Sequence, residues 1–285
     1  MMNNAKIWIV GARGQVGRAI YEEIDSLRHV IYDTDKDLDI TNMKEVESYV
    51  HSLRPNVVIN CAGMTDLTQC EDNPLDAYRV NAIGARNLSA ASRAIGAKFV
   101  QISTDDVFDG KEQALLNEFD PTMPVTVYGK SKLAGETLVR ELNPKHLIIR
   151  SSWIYGDGAN NYVSHVLKLA KTQKVIRAAN DQFSTPTSAK ELAKCILALL
   201  DSNEYGIFHA SCEGITSRYN FAREIIRLAG LEQQVKIEPV FVADSHSGVL
   251  SRSRYTVLDN LMLKLTGVYQ MPAWEDALRE YMKTI

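Results

Sequence analysis

The first 150 residues alternate short apolar runs with longer segments of helical periodicity, and this alternation restricts the fold more than any other feature. The apolar runs are rich in β-branched or aromatic residues and are bounded by Gly, Asn, Asp or Pro, as is typical of buried parallel strands. The predicted strands cover residues 7–10, 30–33, 57–60, 99–102 and 147–150, and the predicted helices between them cover residues 15–24, 43–53, 74–95 and 127–142. Because strand–helix–strand crossovers are right-handed, the pattern predicts an α/β fold with a doubly wound parallel sheet.

Beyond residue 150 the periodicity is less regular. Helices are predicted at residues 162–172, 188–200, 217–229 and 273–282, and a short strand is predicted at residues 206–210. We therefore predict a Rossmann-like dinucleotide-binding domain over residues 1–152 and a smaller, mixed α/β substrate-binding lobe over residues 153–285. A segment near residues 187–212 is expected to return to the main sheet. Ligands of such folds bind at the carboxyl ends of the strands, so the residues after each strand are the candidates for chemistry.

Composition and charge restrict the partners of the chain. Of the 285 residues, 45 % are hydrophobic and 24 % are charged, the balance of an ordinary globular protein. The net charge of −3 argues against binding to nucleic acid or to an anionic membrane, and no apolar run approaches the length of a membrane span. The four cysteines show no metal-ligand or disulfide spacing. We expect a cytoplasmic protein, a monomer or homodimer, without a metal ion.

Dinucleotide binding is predicted from the turn after the first strand, GARGQVG at residues 11–17. The first glycine permits the tight turn, the second lets backbone amides approach a pyrophosphate, and the third lets the helix pack closely on the strand. The helix N-terminus adds partial positive charge. A glycine-rich turn without a ligand is the alternative, but the strand before it and the helix after it favour binding. The expected contacts are Gly11, Arg13, Gly14, Gln15, Val16 and Gly17.

Two signals for the cofactor conflict. Asp33 ends the second strand, where an acid usually accepts hydrogen bonds from the adenosine ribose and favours NAD(H). Arg13 is suited to hold a 2′-phosphate and favours NADP(H). We expect NADP(H), with NAD(H) as a possible second cofactor. Asp39 and Ile40 are placed near the adenine, although a helix-capping role suits Asp39 equally well.

A candidate catalytic group lies at the start of the helix predicted at residues 127–142. Tyr128 and Lys132 are four residues apart and therefore share one helix face. A nearby ammonium group is expected to lower the pKa of the phenol, which would make it a usable acid–base group. Thr104 follows the fourth strand and is expected to hydrogen-bond the same substrate oxygen. The alternatives are an exposed Tyr–Lys pair without a role and a threonine that satisfies backbone groups at the strand end.

These motifs and their order resemble the extended short-chain dehydrogenases/reductases. The shared elements are the glycine turn, the NCAG segment at residues 60–63, the STD segment at residues 103–105 and the Tyr128–Lys132 pair. Four later segments resemble the dTDP-4-dehydrorhamnose reductase family specifically, and with them the resemblance spans nearly the whole chain. They are RSSWIYG at residues 150–156, DQFSTPT at 181–187, YTVLD at 255–259 and MPAW at 271–274.

The resemblance implies that NADPH or NADH reduces the 4-keto group of a dTDP-linked 6-deoxy sugar, with dTDP-4-dehydrorhamnose as the expected substrate. It implies that Tyr128 donates the proton, that Thr104 polarises the ketone and that Lys132 orients the cofactor. Further expected cofactor contacts are Gly63, Met64, Thr65, Tyr128 and Lys132, and the implied substrate contacts are Thr104, Asp105 and Trp153. Trp153 suits either the face of a sugar ring or the core between the lobes. Arg252 suits either the substrate diphosphate or a surface ion pair.

Three positions depart from the family pattern, and all three are expected near the crevice. Asp106 stands where the family usually has Tyr, Met64 replaces an aromatic residue or His, and Thr68 replaces Asp. These departures leave the identity of the sugar open. The Asp105–Asp106 pair also suits a sugar-nucleotide 4,6-dehydratase or epimerase-type enzyme. A non-catalytic, NADP-binding regulatory subunit is the second alternative, and it would not need Tyr128 or Lys132 in working geometry.

Overall fold

The computed structural model describes residues 4–24, 28–158, 161–241 and 253–285. Six strands form its central sheet, numbered along the chain: β1 (Lys6–Val10), β2 (Val30–Thr34), β3 (Val57–Asn60), β4 (Lys98–Thr104), β5 (His146–Ser151) and β10 (Gly206–His209). Their order is β10-β5-β4-β3-β1-β2, and every neighbouring pair is parallel. The predicted doubly wound parallel sheet is confirmed. Because β2 and β3 lie on opposite sides of β1, the winding reverses between β1 and β3, which opens a crevice at the carboxyl ends of these strands.

Helices cover both faces of the sheet. The helices are α1 (Gln15–Glu23), α2 (Met43–Leu53), α3 (Leu67–Asp72), α4 (Pro74–Tyr78), α5 (Ala85–Ala94), α6 (Val127–Leu142), α7 (Tyr162–Ala170), α8 (Ala189–Asp201), α9 (Arg218–Leu228), α10 (Leu261–Thr266) and α11 (Trp274–Met282). Helices α1 and α8 share one hydrophobic core with the smaller lobe, and α2, α5 and α6 build the other core. Within the described residues, none of the helices is both long and apolar enough to span a bilayer.

Alternate residues of the strands enter these two cores, which explains the continuous apolar runs in the sequence. In β1, Ile7 and Ile9 belong to the core under α1, whereas Trp8 and Val10 belong to the core under α2. All four are buried. A strand covered on both faces gains from apolar side chains at every position, so it shows no polar–apolar alternation.

The segment predicted as one helix over residues 74–95 changes its winding in the middle. Between α4 and α5 the chain forms a π-helical turn at Arg79–Gly84, which adds a residue to the helical path. At the end of this turn Gly84 packs against the buried side chain of Ile40, and a Cβ at this position would collide with it. The predicted helical segment is therefore confirmed, and the change from α- to π-helical winding is the feature that apolar periodicity does not report.

The smaller lobe consists of short strand pairs and helices α7, α9, α10 and α11. Its pairs are β7 (Val175–Ala179) with β12 (Lys236–Val240), β6 (Ile154–Tyr155) with β9 (Thr187–Ser188), and β8 (Phe183–Ser184) with β11 (Thr216–Ser217). The chain leaves this lobe at α8 and adds β10 to the main sheet beside β5. The exact division into domains at residue 152 stays a prediction.

Candidate active site

A cavity of about 890 Å³ opens at the carboxyl ends of the central strands. Its walls come from the glycine turn, the loop after β3, the end of β4, the first turns of α6 and the smaller lobe. The sequence-predicted residues that line it are Gly14, Gln15, Val16, Gly63, Thr65, Thr104, Asp105, Tyr128, Lys132 and Trp153. The candidate cofactor, catalytic and substrate residues are therefore brought to one cavity.

The glycine turn leaves the N-terminus of α1 open to this cavity. Gly11 has a φ of 76°, and a Cβ on it would lie 2.6 Å from the backbone nitrogen of Ala62. A Cβ on Gly17 would lie 2.7 Å from the Cα of Ala12, so glycine is required at both ends of the turn. Gly14 is the N-cap of α1 and offers no side chain to the first amides of the helix. These amides are suited to bind the pyrophosphate of a dinucleotide.

The predicted adenosine end of the site lies beside the carboxyl end of β2. The amides of Gly11 and Ala12 donate to the carbonyl of Thr34, which fixes the turn against this strand. The exposed guanidinium of Arg13 lies 3.9 Å from the carboxylate of Asp35, and Asp33 is exposed nearby in β2. A cation at this edge is suited to a 2′-phosphate.

Some predicted cofactor residues stand apart from the cavity wall. Among the described residues, the lining does not include Gly11, Arg13, Gly17, Asp33, Asp39, Ile40 or Met64. Asp39 uses one carboxylate oxygen to accept hydrogen bonds from the amide and hydroxyl of Thr41, at 2.9 and 2.8 Å. This is a local turn ahead of α2, whose N-cap is Asn42, so Asp39 does not take the helix-capping role that the sequence left open for it. Contacts of this group with an adenosine moiety stay predictions.

The start of α6 places the phenol of Tyr128 beside Thr104. Thr126 caps the helix by accepting a hydrogen bond from the amide of Gly129 at 3.0 Å. Gly129 packs directly against the carbonyl of Asp106, in the 3₁₀ turn Asp105–Val107 that follows β4. This close approach brings the hydroxyl groups of Tyr128 and Thr104 into a hydrogen bond.

The expected lowering of the pKa of Tyr128 is wrong for this structure. Burial of the phenol raises its pKa, the negative charge of Asp106 raises it further, and the hydrogen bond with Thr104 opposes both effects only in part. Tyr128 borders the cavity and is half-buried, so a phenolate there is less well solvated than in water. Tyr128 is therefore protonated at neutral pH, the form that a proton donor needs.

Lys132 lies one helical turn further along α6, and its side chain is buried. Its ammonium group donates a hydrogen bond to the carbonyl of Ile102 in β4. Burial lowers the pKa of Lys132 to about 8, and the carboxylate of Glu136 opposes this shift. Lys132 thus keeps its charge at neutral pH and loses it in the mildly alkaline range.

Asn81 is a positioning residue that the sequence did not reveal. It sits in the π-helical turn, and its buried side chain accepts from the amide of Met64 at 2.8 Å and donates to the carbonyl of Met64 at 2.9 Å. The same amide group donates to the hydroxyl of Ser131, which in turn donates to the carbonyl of Tyr128. One side chain therefore fixes the loop after β3 relative to the catalytic helix. The only sequence signal is an asparagine in an otherwise apolar helical pattern.

A buried ion pair stands behind the catalytic helix. Arg150 of β5 binds both carboxylate oxygens of Glu136 on α6, with the shortest separation at 2.7 Å, and both side chains are buried. Ser103 of β4 donates to the same carboxylate. Arg150 also donates to the Nε2 of His209, whose Nδ1 donates to backbone carbonyls. Burial, together with the charge of Arg150, lowers the pKa of His209 to about 3.

Asp105 connects the end of β4 to the smaller lobe. Its carboxylate accepts hydrogen bonds from the hydroxyls of Thr256, Ser184 and Thr104, and all four side chains are buried. Ser184 belongs to β8 of the smaller lobe. Thr256 lies beside this strand, because its backbone amide donates to the carbonyl of Phe183. Asp105 lines the cavity as predicted, but much of its hydrogen-bonding capacity is used inside the protein.

Trp153 forms an aromatic part of the cavity wall, and its backbone is strained. Its φ of 41° lies in the left-handed region, which costs a non-glycine residue about 1–3 kcal/mol. The guanidinium of Arg218 lies 3.6 Å from the centre of the Trp153 ring and 4.6 Å from that of Tyr162. Trp153 also packs against the hydrophobic core, so it takes part in both the cavity and the junction between the lobes.

The departures from the family pattern fall at different distances from the cavity. Asp106 lines it, whereas Met64 and Thr68 are not among the described lining residues. The backbone of Met64 is fixed by its two hydrogen bonds with the side chain of Asn81, and Thr68 is exposed on α3. Met64 stands between the lining residues Gly63 and Thr65, so Asp106 and Met64 both lie near the crevice as expected, and for Thr68 this position stays a prediction. Arg252 lies outside the described residues.

A nucleotide-binding turn that shares its cavity with a tyrosine–lysine helix is the arrangement of the extended short-chain dehydrogenases/reductases, the class that the sequence resembles. The chain belongs to the RmlD substrate binding domain family, whose model matches residues 5–285. The predicted relationship to the dTDP-4-dehydrorhamnose reductases is thereby confirmed.

Individual relatives match the chain over nearly its whole length. The spore coat polysaccharide biosynthesis protein SpsK of Bacillus subtilis is 37 % identical over 279 residues, covering 98 % of this chain and 97 % of that protein. The crystal structure of a dTDP-4-dehydrorhamnose reductase from Clostridium acetobutylicum is similar with a TM-score of 0.94 and 44 % identity, covering 98 % and 99 % of the two chains. The dTDP-4-dehydrorhamnose reductase of Bacillus anthracis, solved in complex with NADP, has a TM-score of 0.95 and 38 % identity, covering 99 % and 100 %.

Proposed function

We propose that this protein reduces the 4-keto group of dTDP-4-dehydrorhamnose to give dTDP-L-rhamnose, with NADPH as the reductant. The observation that carries the proposal is the common cavity of the open α1 N-terminus and the Tyr128–Lys132 pair. The names of the two solved relatives support the choice of substrate, and the NADP complex of one of them supports the choice of cofactor.

The residues of the chain fit a dinucleotide. The uncapped amides of α1 would hold the pyrophosphate, Arg13 the 2′-phosphate, and the ammonium of Lys132 the hydroxyls of the nicotinamide ribose. When bound, the reduced nicotinamide supplies a hydride to C4 of the sugar. NADH lacks the 2′-phosphate and is therefore the weaker cofactor in this proposal.

The protein supplies the proton and the orientation. Tyr128 stays protonated until the ketone oxygen accumulates negative charge, and it then transfers its proton to this oxygen, so the C4 carbonyl becomes a secondary alcohol. Thr104, hydrogen-bonded to Tyr128, holds the phenol, and it polarises the same oxygen by turning its hydroxyl proton from the carboxylate of Asp105 toward the ketone. Water reprotonates Tyr128 before the next turnover. A nucleotide sugar is thus the small-molecule partner, and the cytoplasmic location and the monomeric or homodimeric state remain predictions.

Two of the predicted alternatives differ from this reaction in what is consumed. A 4,6-dehydratase or epimerase would return its cofactor to the starting redox state, so NADPH would not be consumed. A non-catalytic, NADP-binding subunit would bind the cofactor and turn nothing over. Net oxidation of NADPH with formation of dTDP-L-rhamnose therefore separates the proposed reaction from both.

The test is to incubate the purified protein with dTDP-4-dehydrorhamnose and NADPH and to follow both the nicotinamide absorbance and the sugar product. Tyr128→Phe is expected to lower kcat by about 10²–10⁴ while the Kd for NADPH stays unchanged, because only the proton donor is lost. Tyr78→Phe is the matched control, since Tyr78 is 38 % exposed on α4. A Tyr128→Phe protein with the kcat of the wild type would refute the assignment of the proton donor.

A further inference from the structure

Three ionisable side chains of α6 follow one another at intervals of four residues. Tyr128, Lys132 and Glu136 have this spacing and therefore lie on the same face of the helix. Among the described residues, the cavity lining includes the first two but not Glu136, which is buried behind them. A buried carboxylate destabilises a fold unless neighbouring groups compensate its charge, so the partners of Glu136 show what this charge acts on.

The carboxylate of Glu136 is fixed from two neighbouring strands. Arg150 of β5 donates from Nε at 3.0 Å to one of its oxygens and from Nη2 at 2.7 Å to the other. The hydroxyl of Ser103 in β4 donates to the first of these oxygens, and both donor side chains are buried. Ser103 immediately precedes Thr104, so Glu136 joins the catalytic helix to the strand end that carries Thr104.

The same carboxylate acts on the ammonium group of Lys132. That group donates to the carbonyl of Ile102, which is a neutral acceptor. Burial lowers the pKa of Lys132 to about 8, and the negative charge of Glu136 is the larger of the two effects that oppose this shift. The other comes from Cys61, whose own pKa is raised by burial to about 12, so its thiol is neutral near pH 7. The charge of Lys132 at neutral pH therefore depends on Glu136.

We propose that Glu136, held by Arg150 and Ser103, is a positioning residue of the reduction that stabilises the charged form of Lys132. The inference rests on the proposed function, in which the ammonium of Lys132 holds the hydroxyls of the nicotinamide ribose. Without the carboxylate, Lys132 loses its charge at a lower pH, and the contact with the ribose weakens at the same pH. Glu136 itself contacts neither the cofactor nor the sugar and acts through Lys132.

The experiment compares the wild type with Glu136→Gln and Glu141→Gln. Glu141 is the matched control, because it is an exposed glutamate on the same helix. We measure kcat/KM for dTDP-4-dehydrorhamnose and, separately, the Kd of NADPH, both between about pH 6 and about pH 9. The Kd of NADPH reports the charge of Lys132 without any turnover.

The expected result is a shift along the pH axis. The attraction between two unit charges one helical turn apart, at the effective dielectric constant of a protein, corresponds to about 1–2 pH units. In Glu136→Gln the alkaline fall of kcat/KM and the rise of the Kd of NADPH should both move down by this amount. At about pH 8 kcat/KM should be roughly 5- to 50-fold below the wild type, and at about pH 6 it should recover to within about threefold. A merely structural role would lower kcat/KM by the same factor at every pH.

A second variant guards against loss of folding, because removal of one partner of a buried ion pair is strongly destabilising. The double substitution Glu136→Gln with Arg150→Met removes both charges and should give the same downward shift. A folded protein of either kind with the pH dependence of the wild type, while the wild type reduces the sugar, overturns this inference and leaves the proposed function intact. A wild-type protein that binds NADPH but does not reduce the sugar overturns the proposed function, and the pH dependence of the Kd of NADPH then decides the inference alone.

Discussion

Substitution of Gly129 by alanine tests whether the contact between α6 and the 3₁₀ turn positions the proton donor. A Cβ at residue 129 would lie against the carbonyl oxygen of Asp106, well inside the 3.0 Å below which Cβ atoms are essentially never found. The opposing group is backbone, so the clash cannot be relieved by a side-chain rotation. The first turn of α6 and the turn at Asp105–Val107 must instead move apart by roughly 0.5 Å or more, and a misplacement of about 1 Å can cost about 10² in rate.

We therefore expect kcat of Gly129→Ala to fall roughly 10- to 100-fold, because the phenol of Tyr128 leaves the hydrogen bond to Thr104. The assay is the initial rate of NADPH oxidation with saturating dTDP-4-dehydrorhamnose. Lys130→Ala is the control, since Lys130 is the adjacent, exposed residue of the same helix. Because the clash also strains the folded protein, only correctly folded Gly129→Ala protein is compared. A folded Gly129→Ala protein with a kcat within twofold of the wild type would refute the reasoning.

Three further predictions concern pH, stability and the cofactor. With a pKa of about 8 for Lys132 in the free protein, kcat/KM should fall above this pH to roughly one-tenth at about pH 9, and Lys132→Arg should lack this decline; an identical pH profile of kcat/KM in both proteins would contradict the assignment. His209 is neutral when folded and takes up a proton when unfolded, so its contribution to stability is present above its unfolded pKa and is lost as the pH falls below that value. Urea titrations should show that the free energy of unfolding falls by about 2 kcal/mol between about pH 8 and about pH 5, and that this fall is absent in His209→Asn. The control is His51→Asn, which removes an exposed histidine and should keep the fall. Arg13→Ala should raise the Kd of NADPH roughly tenfold or more and leave that of NADH unchanged, and equal effects on both would exclude a contact with the 2′-phosphate.

The features predicted correctly from the sequence are those with a local physical cause. The sheet follows from apolar runs that must be covered on both faces, as Ile7 and Trp8 illustrate by entering opposite cores. The glycine turn follows from steric limits at Gly11 and Gly17 that no other residue meets. Tyr128 and Lys132 are four residues apart, which places both on the same face of α6 in successive turns.

The features that the sequence did not predict depend on contacts between distant segments. The pKa of Tyr128 is set by burial and by Asp106, which reaches it only because α6 packs on the turn after β4. Asn81 acts through a π-helical turn that has the same apolar periodicity as an ordinary helix. The pairing of β7 with β12 joins strands about sixty residues apart and leaves no short-range signal.

The hydroxyl network of Asp105 limits how this enzyme can be recombined with its relatives. A chimera that takes its nucleotide-binding half from this chain and its other half from a relative would replace Ser184 and Thr256 but keep the carboxylate to which they donate. A donor half without both hydroxyls would remove two of the hydrogen bonds that the buried carboxylate of Asp105 accepts, next to the proton-transfer group, and each lost hydrogen bond to a charged group costs about 1.5–3 kcal/mol. Exchange of sugar specificity by swapping halves therefore requires these two hydroxyl-bearing positions to be transferred as a set with Asp105.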